Sequence, residues 1–119
     1  MGLDLYEAFE EVRNLYDNHP FSFDLKEISF KKSLEEMSKT QYTQPVLVTI
    51  HLAILRLLRK FGISYQAAAF LSLGEYSALA ASGVLREEDT LRLIEKRGLF
   101  MAEACSASPS TLVALLGQD

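Results

Sequence analysis

The sequence contains one cysteine, Cys105, and no tryptophan among its 119 residues. A single cysteine excludes an internal disulfide, and no spacing of cysteines and histidines typical of a metal site is present. This usage is typical of a reducing compartment, so the sequence predicts a cytoplasmic protein without a bound metal. Proline and glycine are also scarce, at three and six residues, and neither an internal repeat nor a low-complexity tract interrupts the chain.

Basic residues are fewer than acidic residues. The 12 Lys and Arg residues against 16 Asp and Glu residues give a net charge of −4, and no basic stripe is available to meet phosphates, so nucleic acid is not an expected partner. The longest apolar run, residues 45–58, is too short for a membrane span and contains His51 and Arg56. The first residues lack the charged and apolar regions of a signal peptide. We therefore expect a soluble chain with neither a nucleic-acid nor a membrane partner.

Hydrophobic residues make up 49% of the sequence, enough for the core of one small domain. Apolar periodicity predicts helices over 4–18, 45–60, 75–81 and 86–105, with short helical turns at 24–28 and 33–37 and a turn at 40–45. The helix over 45–60 is apolar on nearly every side, so we expect it in the middle of the domain. Gly62 is predicted to cap its C-terminal end. Strands are predicted over 65–71 and 111–116. Two strands make a poor sheet, and the expected fold is a helix-rich α/β arrangement whose parallel sheet lacks strands.

The segment AAAFLSLGEYSALAASG, residues 67–83, raises the main functional question. A strand that leads into Ser72-Leu73-Gly74 and then a helix has the layout of a nucleophile elbow, although the usual pattern is G-x-S-x-G and Phe70 occupies the first glycine position. An N-terminal helix cap is the commoner role of a serine at a helix start. From the residues alone both explanations of Ser72 remain open.

The order of several short motifs resembles the malonyl-CoA:acyl-carrier-protein transacylase family, which includes the acyltransferase domains of polyketide and fatty-acid synthases. The motifs are MGxDLY at 1–6, TxYTQP at 40–45, SLGEYSAL at 72–79, EDTLRL at 88–93, RGxxM at 97–101 and LGxD at 116–119. The resemblance covers essentially the whole chain but only the N-terminal portion of the family's domain. It implies a partial α/β-hydrolase-like large subdomain over residues 1–119, with a small ferredoxin-like subdomain barely entered at 111–119.

This resemblance implies an acyltransferase that moves a malonyl group from coenzyme A to an acyl carrier protein, in fatty-acid or polyketide biosynthesis. Ser72 matches the nucleophile that forms an acyl-serine, and the Leu73 N–H matches an oxyanion donor. Arg97 matches the arginine that binds the malonyl carboxylate, and the alternative is a surface arginine within the Glu95-Lys96-Arg97 charge cluster. Malonyl-CoA and the acyl carrier protein, whose phosphopantetheine accepts the acyl group, are the implied partners, and no cofactor is required.

The chain also departs from the family pattern. Phe70 and Leu71 replace the glycine and histidine that precede the nucleophile, and we expect the Phe70 side chain to widen the turn or displace the neighbouring helix. The Gly-Gln-Gly-Ser segment that supplies a second oxyanion donor, and the catalytic histidine, lie outside the sequence. His51 is predicted to be a core or boundary residue, and His19 to lie in a turn without a chemical role.

Two functional hypotheses follow. The chain is either part of an acyl-carrier-protein malonyltransferase with little activity alone, or a non-catalytic module that binds a carrier protein or a complementary chain, such as the missing remainder of the domain. Exposed sheet edges would form the contact surface of such a module. An unrelated small α/β protein is a third interpretation.

Overall fold

The computed structural model describes residues 1–108, 111, 113 and 117. Within this part of the chain there are six α-helices and one π-helical turn. The helices are α1 (Leu3–Ala8), α2 (Glu10–Asp17), α3 (Leu34–Met37), α4 (Thr40–Lys60), α5 (Gly74–Ala81) and α6 (Glu87–Ala107), and the π-helical turn spans Glu27–Lys31. No helix among the described residues is long and apolar enough to cross a membrane.

Helix α4 is the element around which the others pack. It contacts α2, α3, α5, α6 and the π-helical turn. Nine of its residues are buried: Gln44, Pro45, Val46, Val48, Thr49, Leu52, Ala53, Leu55 and Leu57. A helix that is apolar on most sides requires cover from several directions, because each exposed apolar face costs free energy in water. The prediction of a central buried helix is therefore confirmed.

The predicted turn at 40–45 is wrong, because α4 begins at Thr40 and carries Pro45 inside the helix. The Thr43 N–H already donates to the Lys39 carbonyl at 2.9 Å, which closes the first helical turn. Proline has no N–H to donate back along the helix, a cost that usually favours the first turn. Here Pro45 is buried, and its carbonyl accepts the Thr49 hydroxyl at 2.8 Å. Tertiary packing of this segment outweighs the local preference of proline.

The single helix predicted over 4–18 is also wrong, because Phe9 separates α1 from α2 with φ −127° and ψ 128°. Arg13 compensates for the break, since its guanidinium donates to the carbonyls of Tyr6 and Glu7 at the end of α1. The break directs the Phe9 ring onto Phe61, with ring centroids 6.1 Å apart in an edge-to-face arrangement. This contact joins the first helices to the far end of α4.

The strand predicted over 65–71 does not form, and this segment is an exposed connection between α4 and α5. A strand requires a neighbour with which its backbone can pair, and the described residues contain no strand at all. The second predicted strand, over 111–116, lies outside the described residues except for 111 and 113, which are not in a strand. The described part of the chain is therefore helical, and the expected sheet is not formed within it.

A glycine defines the C-terminal end of both α4 and α5. Gly62 follows α4 with φ 72°, and the Ile63 N–H reaches back to the Leu58 carbonyl at 2.9 Å. Gly83 follows α5 with φ 79°, and the Val84 N–H reaches the Leu79 carbonyl at 3.0 Å. These are glycine-terminated helix ends that satisfy the last carbonyls. The predicted cap at Gly62 is thereby confirmed.

Candidate active site

Ser72 occupies a strained turn at the start of α5. Its φ is 48°, and among the described residues it is the only non-glycine residue with a positive φ. The turn is closed by the Gly74 N–H, which donates to the Leu71 carbonyl at 2.9 Å. For a residue with a side chain this conformation costs roughly 1–2 kcal/mol. Such strain is what a nucleophile elbow requires in order to lift its side chain clear of the backbone.

The helix-cap explanation of Ser72 does not fit this geometry. The residue at the N-cap of α5 is Leu73, and no side chain makes a capping hydrogen bond there. Ser72 is exposed, and its backbone carbonyl accepts the Glu75 N–H at 3.2 Å. The hydroxyl is therefore presented to solvent at the N-terminal end of α5.

Phe70 does not widen the turn as expected from its size. The side chain is 57% exposed, and its Cβ would lie 3.4 Å from a Cβ added at Gly74, an ordinary van der Waals distance. The phenyl group projects outward, and the Leu71–Gly74 hydrogen bond keeps a length typical of a tight turn. The Phe70 side chain is thus accommodated without opening the turn at Ser72.

The Leu73 N–H lies at the positive end of α5. The next three N–H groups, of Gly74, Glu75 and Tyr76, donate to the carbonyls of residues 71, 72 and 73. No hydrogen bond joins the Leu73 N–H to another residue that the structure describes. A helix-terminal N–H next to a serine is suited to stabilise negative charge on an oxygen bound there.

Arg97 lies on α6 and faces the elbow helix. Its guanidinium donates a hydrogen bond to the Gln44 Oε1 atom and lies over the Tyr76 ring, 5.9 Å from the centroid. Tyr76 lies in the first turn of α5, which begins two residues after Ser72. The guanidinium is therefore held against the same end of α5 that carries Ser72.

The environment of Arg97 differs from that of a surface charge cluster. Its neighbour Glu95 points elsewhere, where one carboxylate oxygen accepts both the N–H and the hydroxyl of Ser22 at 2.7 Å. Arg97 and Lys96 instead line a pocket of about 430 Å³ whose other walls are mainly apolar and whose lining residues include no carboxylate. Two cations beside such a pocket favour an anionic ligand.

Gln44 and Tyr76 contact Arg97, although the sequence assigned neither of them to the site. Gln44 is 5% exposed, and its amide nitrogen donates to Thr40 Oγ1 at 2.7 Å and to Met101 Sδ at 3.2 Å. These bonds fix the amide so that its oxygen is directed at Arg97. Gln44 belongs to the motif TxYTQP and Tyr76 to the motif SLGEYSAL. Membership of these motifs is the sequence signal from which a role in the site could have been predicted.

The two histidines do not supply a base for Ser72. His51 Nδ1 lies 2.8 Å from Ser77 Oγ, and desolvation by the surrounding residues lowers the pKa of its imidazole. His19 accepts the Phe21 N–H at 3.2 Å, and burial likewise lowers its pKa. No hydrogen bond within the described part of the chain joins either ring to Ser72. Among the described residues, no three or more His, Cys, Asp or Glu side chains are grouped so that they could hold a metal ion.

Comparisons with known proteins agree with the geometry. Residues 1–118 match the acyl transferase domain family. The chain is 37% identical over 121 residues to a malonyl CoA-acyl carrier protein transacylase from Bacillus subtilis (strain 168). This alignment covers 100% of this chain and 38% of that relative. The solved structure of the malonyl CoA-acyl carrier protein transacylase from Clostridium perfringens has a TM-score of 0.80 and 39% identity, and the match covers 87% of this chain and 34% of that one.

A third match is a malonyl-transacylase solved in complex with its type II PKS acyl-carrier protein, with 36% identity and a TM-score of 0.80. It covers 87% of this chain and 35% of that one. The chain thus spans between about a third and two fifths of the length of these three relatives. Because the family match extends over nearly every residue of the chain, the chain belongs to the acyl transferase domain family.

Proposed function

We propose that this chain carries the nucleophile and the carboxylate-binding residue of a malonyl-CoA:acyl-carrier-protein transacylase centre. The observation that carries the proposal is the positive φ of Ser72 at the start of α5, combined with membership of the family. The relatives' own names support malonyl-CoA as donor and an acyl carrier protein as acceptor. The proposed setting is fatty-acid or polyketide biosynthesis in the cytoplasm, with no metal or other cofactor.

The proposed chemistry begins with attack by the Ser72 hydroxyl on the thioester carbonyl of malonyl-CoA. The Leu73 N–H stabilises the negative charge that develops on the carbonyl oxygen. The C–S bond breaks, coenzyme A leaves as its thiol with the proton from the serine, and a malonyl ester remains on Ser72. The phosphopantetheine thiol of the carrier protein then attacks this ester, and its proton restores the Ser72 hydroxyl. Transfer through an acyl-serine splits one difficult exchange into two easier steps.

Arg97 is proposed to bind the malonyl carboxylate. Its guanidinium has five N–H donors in a planar fork, and Gln44 accepts one of them. The remaining donors are sufficient for a bidentate bond to a carboxylate. This interaction would favour a malonyl group over an acetyl group, which has no second carboxylate.

The portion of the domain present in this sequence is proposed to have low activity by itself. A serine hydroxyl is a weak nucleophile at neutral pH without a base, and neither histidine is bonded to Ser72. One oxyanion donor fewer typically costs on the order of 10²–10³ in rate. We assign residues 1–119 to the N-terminal part of an α/β-hydrolase-like large subdomain, with residues 111–119 at the edge of a ferredoxin-like subdomain.

The test is intact-mass spectrometry after incubation with malonyl-CoA and, in parallel, with an activated serine-reactive fluorophosphonate. We expect a single adduct that peptide mapping places on Ser72, since the strained turn exposes that hydroxyl. Ser72→Ala should abolish the adduct, and Ser82→Ala, at an exposed serine beyond α5, should not. A folded chain that labels on another serine would contradict the assignment of Ser72, whereas a folded chain that labels on none would show that this portion of the domain has no activity by itself.

A further inference from the structure

We infer that a small pocket between α4 and α6 binds the alkylammonium group of an amine. The pocket has a volume of about 290 Å³, and it shares no lining residue with the pocket beside Arg97. Its lining residues are Ser22, Phe23, Gln41, Tyr42, Glu95 and Leu99. Ligand pockets in proteins begin at about 300 Å³, so only a compact chemical group fits here. The inference concerns binding and does not depend on the chemistry proposed for Ser72.

The negative charge of this pocket belongs to Glu95, whose carboxylate is fixed in position. Its Oε1 atom accepts both the backbone N–H and the hydroxyl of Ser22 at 2.7 Å. None of the salt bridges within the described part of the chain involves Glu95. The adjacent cations, Lys96 and Arg97, line the other pocket. A fixed carboxylate without a salt-bridged cation favours a positively charged ligand that donates hydrogen bonds.

Two aromatic rings form walls of the pocket. The ring centroids of Phe23 and Tyr42 are 5.1 Å apart, and their planes meet at 73°. Phe23 also stacks on Phe21 at 5.2 Å, which holds its ring in place. Aromatic rings attract cations within about 6 Å of their centroids, and they pack well against the carbon atoms of an alkylammonium. One carboxylate, in contrast, provides too few oxygen ligands for Mg²⁺ or Ca²⁺.

The charges near His19 indicate that the surroundings of the pocket are negative. His19 stacks on Phe21 with ring centroids 5.2 Å apart. Burial lowers the pKa of its imidazole. The largest effects of neighbouring charges come from the carboxylates of Asp24 and Glu95, which raise that pKa. The electrostatic potential on this side of α6 therefore favours a cation.

A primary alkylammonium combines the features that the pocket selects. Its N–H groups donate to Glu95 while its carbon chain lies against Phe23 and Tyr42. A neutral alcohol of the same shape lacks the charge, and a hydrated sodium ion lacks the apolar part. A free amine and the lysine side chain of another polypeptide carry the same group, so they are two sources of one ligand chemistry.

The test uses the full 119-residue chain and propylammonium chloride as probe, with sodium chloride added to hold the ionic strength constant. We expect saturable NMR shifts of the Ser22 amide and of the Phe23 and Tyr42 ring protons, with a dissociation constant of about 1–10 mM. Propanol, the neutral analogue, should give no saturable shift. Nα-acetyl-lysine methylamide is titrated in parallel. Tighter binding of this compound than of propylammonium assigns the ligand to a polypeptide, and equal or weaker binding assigns it to a free amine.

Matched variants separate amine binding in this pocket from weak attraction to an acidic chain. Glu95→Gln keeps an oxygen that can accept from Ser22 but removes the charge, and it should weaken binding by at least about tenfold. Phe23→Leu should weaken binding by about threefold or more. Glu103→Gln, at an exposed position of α6 outside the pocket lining, should leave binding unchanged. Equal effects of the two glutamate variants, or no saturable shift with the folded wild type, would overturn the inference.

This experiment is independent of the proposed chemistry. Amine binding is measured without malonyl-CoA, so a Ser72→Ala chain should bind propylammonium as well as the wild type does. Amine binding by a chain that labels on another serine would contradict only the proposed function. Labelling of Ser72 without amine binding would contradict only the inference about this pocket.

Discussion

At the residue scale, Ser72 combines a positive φ with an exposed side chain. Glycine adopts this conformation without steric cost, so Ser72→Gly should raise the free energy of unfolding by about 1 kcal/mol while it removes the hydroxyl. Ser77→Gly, within α5, should lower that free energy by about 1 kcal/mol, because glycine is unfavourable inside a helix. Urea denaturation measures both. Destabilisation by Ser72→Gly would show that the turn is not strained.

Arg97 provides a residue-scale test of acyl selectivity. Lysine retains the positive charge but lacks the planar fork that can bind Gln44 and a carboxylate together. We therefore expect Arg97→Lys to lower the ratio of malonyl to acetyl labelling at Ser72 by about tenfold or more. The measurement is intact-mass spectrometry with malonyl-CoA and acetyl-CoA in competition. Lys96→Arg, at the neighbouring position in the same pocket, is the control and should keep the ratio.

Tyr16 makes the folding stability of the chain depend on pH in the alkaline range. Its side chain is fully buried, and burial raises the pKa of its phenol to about 12. The unfolded chain has a phenol pKa near 10, so this contribution to stability is complete below about pH 10. It is lost as the pH rises toward 12, because the unfolded state releases the proton first. Stability curves from pH 9 to 12 should fall less steeply for Tyr16→Phe than for the wild type.

At the element scale, the crossing of α4 and α6 depends on Gly98. A Cβ at this position would lie 3.0 Å from Gln41 Cα and 3.1 Å from the Thr40 carbonyl oxygen. Both contacts are to backbone, which cannot move aside as a side chain can. Helix propensity alone predicts that Gly98→Ala stabilises the chain by about 1 kcal/mol.

We expect the opposite sign for Gly98→Ala, a loss of about 1–3 kcal/mol from overpacking. Thermal and urea denaturation give the value, and the sign decides between the two effects. The variant should also disturb the contact of Arg97 with Gln44, since both flank this crossing. Stabilisation by alanine would mean that the helices can separate at no cost.

At the scale of the whole molecule, α4 has one side in the core and one side exposed to solvent. Leu52 is fully buried and Ile54, two residues later, is 42% exposed. Ile54→Asp should change the free energy of unfolding by no more than about 1 kcal/mol, as expected for an exposed helix position. Leu52→Asp should prevent folding, since it would bury an unpaired charge. Circular dichroism with urea titration compares the two, and similar losses would contradict an exposed position for Ile54.

The sequence determined those features that depend on composition and local pattern. Apolar residues on nearly all sides of 45–60 predicted a central helix, and Gly62 predicted its end, because helix burial and helix termination depend on side chains near in the chain. The candidate residues Ser72, Leu73 and Arg97 came from the motifs at 72–79 and 97–101. Their assignment to a family followed from motif order and was confirmed by the match over residues 1–118.

The tertiary structure decided what depends on partners far away in the chain. The strand expected over 65–71 failed to form because a strand is stable only beside another strand, and none lies within the described residues. The helix break at Phe9 accompanies the contact with Phe61, and Pro45 lies buried within α4, which packs against α6; no local pattern encodes either arrangement. Gln44 meets Arg97 across 53 residues. Local sequence thus determined the helices and the elbow. Long-range packing determined which residues are in contact around them and which helix faces remain exposed.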